Sequence, residues 1–354
     1  MEENTESLLS FFGLNEQPFA ATADPAYFYA TNAHKECLFR LWNAVDDRHG
    51  ISVVLGNYGT GKTTLLRKLI AGMRANPEKY NTAVIASPIP SWTSFSLLEA
   101  IVLQFGLRPE DRSFASYMEM LYQYLATNRG RIHTLIIDDA QNLNKRGQLE
   151  LLRLAQNLET PQHKLLNLVF FSQLEWTAVL QAAPNFEQRI SMTYSLDSLN
   201  MQDTQNLIDF RLRQAAVPGL QPPIFDAAGV RLIHAYAEGS PRVTVTLCRN
   251  ALLLAYQLRA RRIGQAIVLH TIQKTTLPNH ERRSRVAALV ADPPVPSIAE
   301  FDFGSDDPSM DTSAQRRSFS PQTARANRML LNAARGGTSL GVRAFAEFDG
   351  AELR

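Results

Sequence analysis

Apolar residues between positions 51 and 198 occur in short unbroken runs separated by segments of helical pattern. In chain order the runs are ISVVLG, TAVIAS, TLIIDD, LLNLVFFS and MTYSL. A strand that is buried on both faces is apolar without alternation, and strands that alternate with helices pair in parallel. The pattern predicts an α/β core over 51–198, with a mostly parallel sheet covered by helices on both faces.

The segments on either side of this core have helical periodicity. Residues 1–50 form a lead-in that contains the helix-like run HKECLFRLWNAV. Over 199–276, apolar residues such as Ile208, Leu212 and Ala215 recur at the i, i+4, i+7 spacing of one helix face. We therefore predict a small all-helical domain after the core.

The composition changes again beyond residue 277. The stretch ADPPVPSIAEFDFGSDDPSMD is acidic and rich in Pro and Ser, whereas residues 312–346 carry six arginines and no acid. Segments with few large apolar residues bury too little surface to offset the entropy of ordering. We predict that 277–354 is a mostly disordered polar tail.

The bulk composition excludes several classes of protein. The 354 residues carry 36 Lys and Arg against 34 Asp and Glu, so net charge alone indicates no partner. No apolar stretch approaches the roughly 18 residues of a membrane helix, and the acidic N-terminus is not a secretory signal. Cys37 and Cys248 are too few for a disulfide framework or a zinc site. We expect a cytoplasmic protein without direct membrane insertion.

A glycine-rich segment follows the first predicted strand and precedes the helical run TLLRKLIAGM. It matches the P-loop (Walker A) pattern G-x-x-x-x-G-K-[ST]. In this motif the backbone N–H groups and the helix N-terminus face phosphate oxygens. Lys62 would reach the β- and γ-phosphates of ATP, and the Thr63 hydroxyl would ligate Mg²⁺. The predicted nucleotide-binding residues are Gly56, Asn57, Tyr58, Gly59, Thr60, Gly61, Lys62, Thr63 and Thr64.

Two adjacent carboxylates, Asp138 and Asp139, end the predicted strand in LIIDDAQN. Burying unpaired charges is costly, so a cationic partner is expected nearby. An apolar strand that ends in Asp downstream of a P-loop is the Walker B arrangement, in which Asp138 holds Mg²⁺. Neighbouring strand residues point to opposite faces, so Asp139 is predicted to polarise the attacking water.

These motifs together resemble the AAA+ ATPases, and among them the general secretion pathway protein A type, found with type II secretion and pilus-assembly systems. The resemblance covers about residues 8–276. It rests on the P-loop and on FFGLNEQPF, DPAYFY, LIIDDAQNL, LLRLAQNLETPQHKLLNLVFFSQ, QRI and GSPR. It implies an ATPase with a P-loop sheet core and a helical lid, which assembles into a homo-oligomeric ring, most commonly a hexamer.

The resemblance also implies roles for residues outside the P-loop. Gln173, or Ser172 in its place, would be the sensor that meets the γ-phosphate or the lytic water. Arg189 in FEQRI matches the arginine-finger position, which reaches the nucleotide of a neighbouring subunit. Arg242 in GSPR matches the second sensor, which connects the lid to the γ-phosphate.

A cluster of aromatic residues near the start of the chain has two interpretations. The cluster either borders the adenine or packs in a core. Its members are Phe11, Phe12, Phe19, Phe28 and Tyr29.

The chain departs from the pattern of this family in two places. The family usually has Asp-Glu where this chain has Asp138-Asp139. Aspartate is one methylene shorter than glutamate, which puts the efficiency of the base in question. Members that work at the envelope can also carry a membrane helix and a peptidoglycan-binding module after the ATPase. The polar tail at that position here disfavours direct anchoring in the envelope.

Three functions are compatible with these features. The first is an ATPase whose nucleotide-dependent ring assembly drives or gates a secretion or pilus machine with its protein partners. The second is an ATP-dependent regulator of transposition that binds duplex DNA, because the chain also resembles the ATPase subunits of multi-component transposons, which share much of this core. The arginine-rich segments RARRIGQ and HERRSR, which flank the last lid helix, give modest support for contact with DNA. The third is a slow nucleotide switch, if Asp139 is a poor base.

Overall fold

The structure is a computed structural model of the chain. It describes residues 7–20, 25–161, 163–218, 224–276 and 279–290. Most of the predicted tail lies outside the described residues, and its disorder stays a prediction.

The centre of the fold is a five-stranded parallel sheet, which confirms the five predicted strands. The strands are β1 (Ile51–Gly56), β2 (Tyr80–Ile85), β3 (Ile132–Ile137), β4 (Leu166–Ser172) and β5 (Ile190–Leu196). Their order across the sheet is β2-β3-β4-β1-β5. Since β4 lies between β1 and β3, the residue that follows β4 lies between the P-loop and the two carboxylates.

Helices account for most of the remaining described chain. They are α1 (Leu8–Phe12), α2 (Asn32–Asp46), α3 (Lys62–Arg74), α4 (Ser94–Gln104), α5 (Phe114–Thr127), α6 (Arg146–Gln156), α7 (Trp176–Gln181), α8 (Pro184–Glu187), α9 (Met201–Ala215), α10 (Ala227–Ala237), α11 (Pro241–Gln257), α12 (Gln265–Thr275) and α13 (His280–Leu289). Two short 3-10 turns cover Pro25–Tyr27 and Ala140–Asn142.

The sheet is covered on both faces, as the unbroken apolar strands predicted. Alternate residues of β4 point to opposite sides, so Phe170 packs with helices α4 to α8 and Phe171 packs with α2 and α3. Trp176 is fully buried against Phe170, and its indole N–H donates to the Leu143 carbonyl at 3.0 Å. This double cover holds the strand ends, and the loops that follow them, in fixed positions.

Helices α9 to α12 form the predicted helical lid, and the start of the chain packs into its core. Phe11 and Phe12 meet edge to face at 4.9 Å between ring centroids, and Phe19 meets Phe225 at 6.0 Å. These three aromatic residues are 1–4% exposed and share one apolar cluster with the lid helices. Core packing is therefore the interpretation that holds for them, whereas Phe28 and Tyr29 lie outside this cluster.

One helix lies within the segment that the sequence assigned to the tail. Helix α13 packs on α10 through Val286, which is 3% exposed, and Arg282 and Arg285 pair with Glu238. A single buried residue and ion pairs hold this helix, so the sequence has no apolar period that predicts it. Within the described parts of the chain, no helix is both long and apolar enough to cross a membrane.

Candidate nucleotide-binding site

The P-loop and both predicted acidic residues lie at the carboxyl edge of the sheet. Leu55 at the end of β1 pairs with Ser172 at the end of β4, and Ile137 at the end of β3 pairs with Phe170. Parallel strands end at one edge, where open α/β sheets bind their ligands. The strand order thus brings residues more than a hundred positions apart into one site.

The glycines of the P-loop occupy positions that a side chain would obstruct. Gly59 and Gly61 have φ angles of 77° and 96°, in the left-handed region. A Cβ on Gly56 would lie 2.9 Å from the Leu196 carbonyl oxygen. Gly61 is also the N-cap of α3 and contributes no side-chain cap to it. The first turn of α3 is therefore arranged as anion-binding helix N-termini are.

The remaining loop residues differ widely in exposure. Tyr58 is 71% exposed, whereas Thr60 is 2% exposed and its hydroxyl donates to the Asn57 carbonyl at 2.9 Å. Thr64 lies in the first turn of α3, where its N–H donates to the Gly61 carbonyl at 3.0 Å. The loop is thus closed by its own hydrogen bonds, and its nucleotide contacts stay a prediction.

Lys62 folds back over the P-loop. Its Nζ donates to the carbonyl oxygens of Gly56 and Asn57 at 2.6 and 2.9 Å. Burial lowers the pKa of Lys62, and the nearby carboxylates of Asp138, Asp139 and Glu175 act in the opposite direction. The ammonium group is therefore held against the loop, close enough to the acids to feel their charge, and its contact with phosphate stays a prediction.

Asp138 and Thr63 bring two hard oxygen donors together. The Thr63 hydroxyl donates to Oδ2 of Asp138 at 3.1 Å, and Oδ1 accepts from the backbone N–H of Asp139 at 3.0 Å. Asp138 is 8% exposed, and this burial raises the pKa of its carboxyl group. A hydroxyl beside a carboxylate whose charged form is penalised fits Mg²⁺, which binds oxygen ligands and would favour that charged form.

The direction of Asp139 comes from a turn and not from strand alternation. Strand β3 ends at Ile137, and Asp139 has a φ of 49°, which is uncommon for a residue with a side chain. Its Oδ1 accepts from Nε2 of Gln141 at 3.0 Å. The two carboxylates thus have different partners, but the sequence argument used the wrong geometry to separate them.

Gln141 is a residue of this site that the sequence analysis missed. Its Oε1 accepts from the backbone N–H of Gln173 at 3.2 Å and from the Ser172 hydroxyl at 3.3 Å. A backbone N–H can only donate, so Oε1 faces β4 and the amide NH₂ faces Asp139. The Gln141 side chain therefore connects Asp139, the residue predicted to polarise water, to the end of β4.

The predicted sensor residues lie at this same edge. Ser172 is the last residue of β4 and is fully buried, and Gln173, which follows it directly, is 4% exposed. Arg242, in the first turn of α11, lies against the P-loop. A Cβ on Gly59 would be 2.9 Å from the Arg242 Cβ and 2.7 Å from the Ser240 hydroxyl. The lid thus contacts the loop at the residue that the resemblance implied.

Arg189 lies away from this site. It precedes β5, whose first residue, Ile190, pairs with Ile51 at the start of β1. The five residue steps from Ile51 to Gly56 separate that level from the P-loop, roughly 17 Å at 3.3 Å per residue. Arg189 lines a cavity of about 310 Å³ at the amino edge of the sheet, together with Arg153, Asn185 and Gln188.

Comparisons with known proteins agree with this architecture. Residues 45–180 match the family described as AAA domain. Over 258 residues the chain is 34% identical to general secretion pathway protein A of Aeromonas hydrophila. The matched region makes up 72% of this chain and 46% of that protein. The chain therefore spans less than half the length of this relative.

Solved structures share the fold at low identity. The ORC2 protein of Aeropyrum pernix, in ADPNP-ADP complexes, gives a TM-score of 0.55 at 16% identity, over 76% of this chain and 75% of that one. Drosophila ORC bound to DNA gives 0.58 at 16% identity, over 78% of this chain and 68% of that one. Residues 45–180 thus match the AAA domain family, and the chain is similar, over 72% of its length, to general secretion pathway protein A.

Proposed function

We propose that this protein binds ATP with Mg²⁺ and hydrolyses it. The observation that carries the proposal is the contact between the Thr63 hydroxyl and the buried Asp138 carboxylate, beside Lys62 and below the P-loop. This set supplies a cation for the phosphates and two oxygen ligands for a metal.

Each residue of the set has a separate task in this proposal. The P-loop N–H groups and Lys62 hold the phosphates, and Thr63 and Asp138 hold Mg²⁺. The metal, when bound, neutralises charge on the phosphate oxygens. Asp139, fixed by Gln141, orients and polarises the attacking water, and Gln173 or Ser172 contacts the γ-phosphate or that water. Arg242 connects the lid to the same phosphate.

The proposal includes assembly because Arg189 is distant from the P-loop of its own chain. An arginine at the amino edge acts on a nucleotide only if a second subunit presents its carboxyl edge to it. Head-to-tail contacts of this kind form a closed ring when the rotation between subunits closes, and we propose a homo-oligomeric ring of this chain, a hexamer. By its similarity to general secretion pathway protein A, we propose a cytoplasmic protein whose nucleotide-dependent assembly drives or gates a secretion or pilus machine.

A mixing experiment tests hydrolysis and assembly together. Arg189→Ala subunits keep the P-loop, and Lys62→Ala subunits keep the arginine finger. We expect each variant alone to be inactive, whereas an equal mixture recovers about a quarter of the wild-type ATPase rate, since a random ring pairs the two intact halves at that fraction of interfaces. Mixtures that co-assemble without recovering activity would show that Arg189 does not act in trans.

The alternative function, ATP-dependent binding of duplex DNA, has less support in the lid. Five of the six arginines in RARRIGQ and HERRSR contact the protein itself. Arg259 and Arg261 lie over the Phe11 ring, Arg282 and Arg285 pair with Glu238, and Arg283 donates to the Gln273 carbonyl at 3.2 Å. A salt series of ATP-dependent DNA binding decides this, because contacts to phosphates make affinity fall steeply with salt.

A further inference from the structure

A buried histidine lies directly behind the P-loop. His34, in the first turn of α2, is 4% exposed. Its Nε2 lies 2.9 Å from the Thr60 carbonyl oxygen, and its Nδ1 lies 2.6 Å from the Thr31 hydroxyl. The ring also meets Phe28 edge to face at 5.3 Å. His34 is therefore held on several sides, and one of its contacts is the loop itself.

The partners of His34 define its tautomer. The Thr60 carbonyl can only accept, so Nε2 carries the hydrogen. Nδ1 is then the acceptor, and the Thr31 hydroxyl donates to it while accepting from the His34 backbone N–H at 3.2 Å. Burial lowers the pKa of His34, in agreement with a neutral ring. Both ring nitrogens are thus committed to fixed partners.

The contact with Thr60 determines the orientation of one peptide group of the P-loop. In a trans peptide the C=O and the following N–H point in opposite directions. With the Thr60 carbonyl directed at His34, the Gly61 N–H points to the other side. Gly61 has a φ of 96°, and glycine allows many orientations of this peptide, so the sequence of the loop alone does not fix it. A Cβ on Gly61 would lie 2.8 Å from Nε2, which shows how closely the ring approaches.

We propose that His34 is a positioning residue that fixes the Thr60–Gly61 peptide so that the Gly61 N–H faces the phosphates. This inference rests on the proposed function, since it concerns the same phosphate site. Prior orientation of donors lowers the free energy that binding must supply to order them. Nucleotide affinity should therefore depend on the hydrogen bond from the side chain at position 34 to Thr60.

Two amide variants separate this hydrogen bond from simple packing. In His34→Gln the amide nitrogen reaches the place of Nε2 and can donate to Thr60. In His34→Asn the amide reaches only the place of Nδ1, so the contact with Thr31 remains and the contact with Thr60 is lost. The matched controls are His133→Gln and His133→Asn, because His133 is 1% exposed and its Nε2 also faces a backbone carbonyl, that of Asn128, at 3.0 Å.

The readouts are the dissociation constant of a non-hydrolysable ATP analogue with Mg²⁺ and the free energy of unfolding in urea. We expect His34→Asn to weaken binding at least tenfold and His34→Gln to stay within about threefold of wild type. Both His133 variants should lose stability without a change in affinity. If His34→Asn does not fold, Thr31→Ala, which removes the hydroxyl that orients the ring, takes its place with the same expected direction.

Three results would overturn the inference. These are wild-type affinity in folded His34→Asn, equal weakening in His34→Gln and His34→Asn, and equal weakening in the His133 controls. Failure of the proposed function is a different result, because the wild-type protein itself would then not bind the analogue.

Discussion

The two edges of the β-sheet hold their charged side chains in different ways. At the carboxyl edge, Asp138 is buried and Lys62 is half-buried, both are hydrogen-bonded, and the pKa values of both are shifted towards the neutral forms. At the amino edge, Lys79 and Asp46 form an ion pair at 3.0 Å with side chains that are 52% and 37% exposed. Arg189 is half-buried at the same edge, beside an open cavity.

This difference separates groups that are held for chemistry from groups that stabilise a surface. Burying charges costs stability, and such groups with perturbed pKa values cluster at functional sites. Exposed ion pairs contribute little on average. The shifted pKa values of Lys62 and Asp138 therefore mark the carboxyl edge as a functional site without reference to any other protein. The amino edge also holds a buried group with a lowered pKa, His133, but its ring is hydrogen-bonded within the fold to Asn81 and to the Asn128 carbonyl. Arg189 is assigned to that edge by resemblance and by its distance from the P-loop.

The largest expected effect is the loss of nucleotide binding in Lys62→Ala. The change removes the cation that faces the phosphates and touches no apolar core, so we expect affinity for ATP to fall at least 100-fold with little change in unfolding free energy. Lys79→Ala, from the amino edge, is the matched control and should bind normally. Calorimetric titration with an ATP analogue measures both. Normal affinity in folded Lys62→Ala would remove the P-loop assignment.

The next effect is the loss of hydrolysis without loss of binding in Asp139→Asn. The neutral amide keeps the size of the side chain and still meets Gln141, but it no longer polarises water, so we expect the single-turnover rate to fall about 100-fold or more. Asp139→Glu restores the reach usual in the family and should turn over equally fast or faster, unless the site is fitted to aspartate.

The same measurement decides between an ATPase and a slow switch. A single-turnover rate near wild type in Asp139→Asn would exclude Asp139 from the chemical step. Very slow hydrolysis in the wild type, with tight nucleotide binding, would favour the nucleotide switch over the ATPase.

A smaller effect is expected from Gln141→Leu. The substitution keeps the approximate volume and removes the amide that joins Asp139 to Ser172 and Gln173. We expect hydrolysis to slow about tenfold, because positioning contributes much of the rate in phosphoryl transfer, while ATP affinity is unchanged. The control is Gln148→Leu, since Gln148 is fully buried and its amide donates to the Trp92 carbonyl away from the site. Equal slowing of hydrolysis in both variants would mean that Gln141→Leu acts only by destabilising the protein.

The sequence predicted the parts of the molecule that depend on periodicity and on local glycine placement. The five strands and the order P-loop, helix, acidic strand end follow from the apolar runs and from Gly56 to Thr63. The Gln141 and His34 contacts could not be predicted, because each connects residues that are distant in the chain through a single polar side chain. Such contacts leave no repeating pattern, and a buried His or Gln is not distinguishable in sequence from one in solvent.

Two other features were mispredicted for reasons of local geometry. Asp139 was treated as a strand residue, but its left-handed conformation begins a turn. Helix α13 was assigned to the tail because its many charges mask the one buried residue, Val286. The aromatic start of the chain was open between adenine contact and core packing, and only the lid structure distinguishes these interpretations for Phe11, Phe12 and Phe19.

The smallest predicted effect concerns stability at the carboxyl edge. Asp138→Asn should raise the unfolding free energy of the nucleotide-free protein at pH 7 by about 1 kcal/mol, the usual scale of single substitutions. Burial raises the pKa of Asp138 above its usual value of 3.8, so the folded state carries a penalty for the charged carboxylate that asparagine does not. The amide can still accept from the Asp139 N–H and donate to the Thr63 hydroxyl.

The size of this effect should depend on pH, and its sign should depend on the edge of the sheet. Well below pH 3.8 the carboxyl group is protonated in both states, so the advantage of Asp138→Asn should disappear there. It should grow as pH rises through the interval between 3.8 and the raised pKa of Asp138 in the folded protein.

Asp46→Asn, at the amino edge, should instead lower stability, because it weakens the hydrogen bonds that Asp46 accepts from Lys79 at 3.0 Å and from the Tyr80 hydroxyl at 2.6 Å. With Mg²⁺ and the ATP analogue, the wild type should gain more stability than Asp138→Asn, since the variant has lost a charged metal ligand. Urea unfolding of the three proteins at about pH 2.5 and at pH 7 measures these differences. A loss of stability in nucleotide-free Asp138→Asn at pH 7 would mean that this carboxylate stabilises the fold and is not held there at a cost for binding.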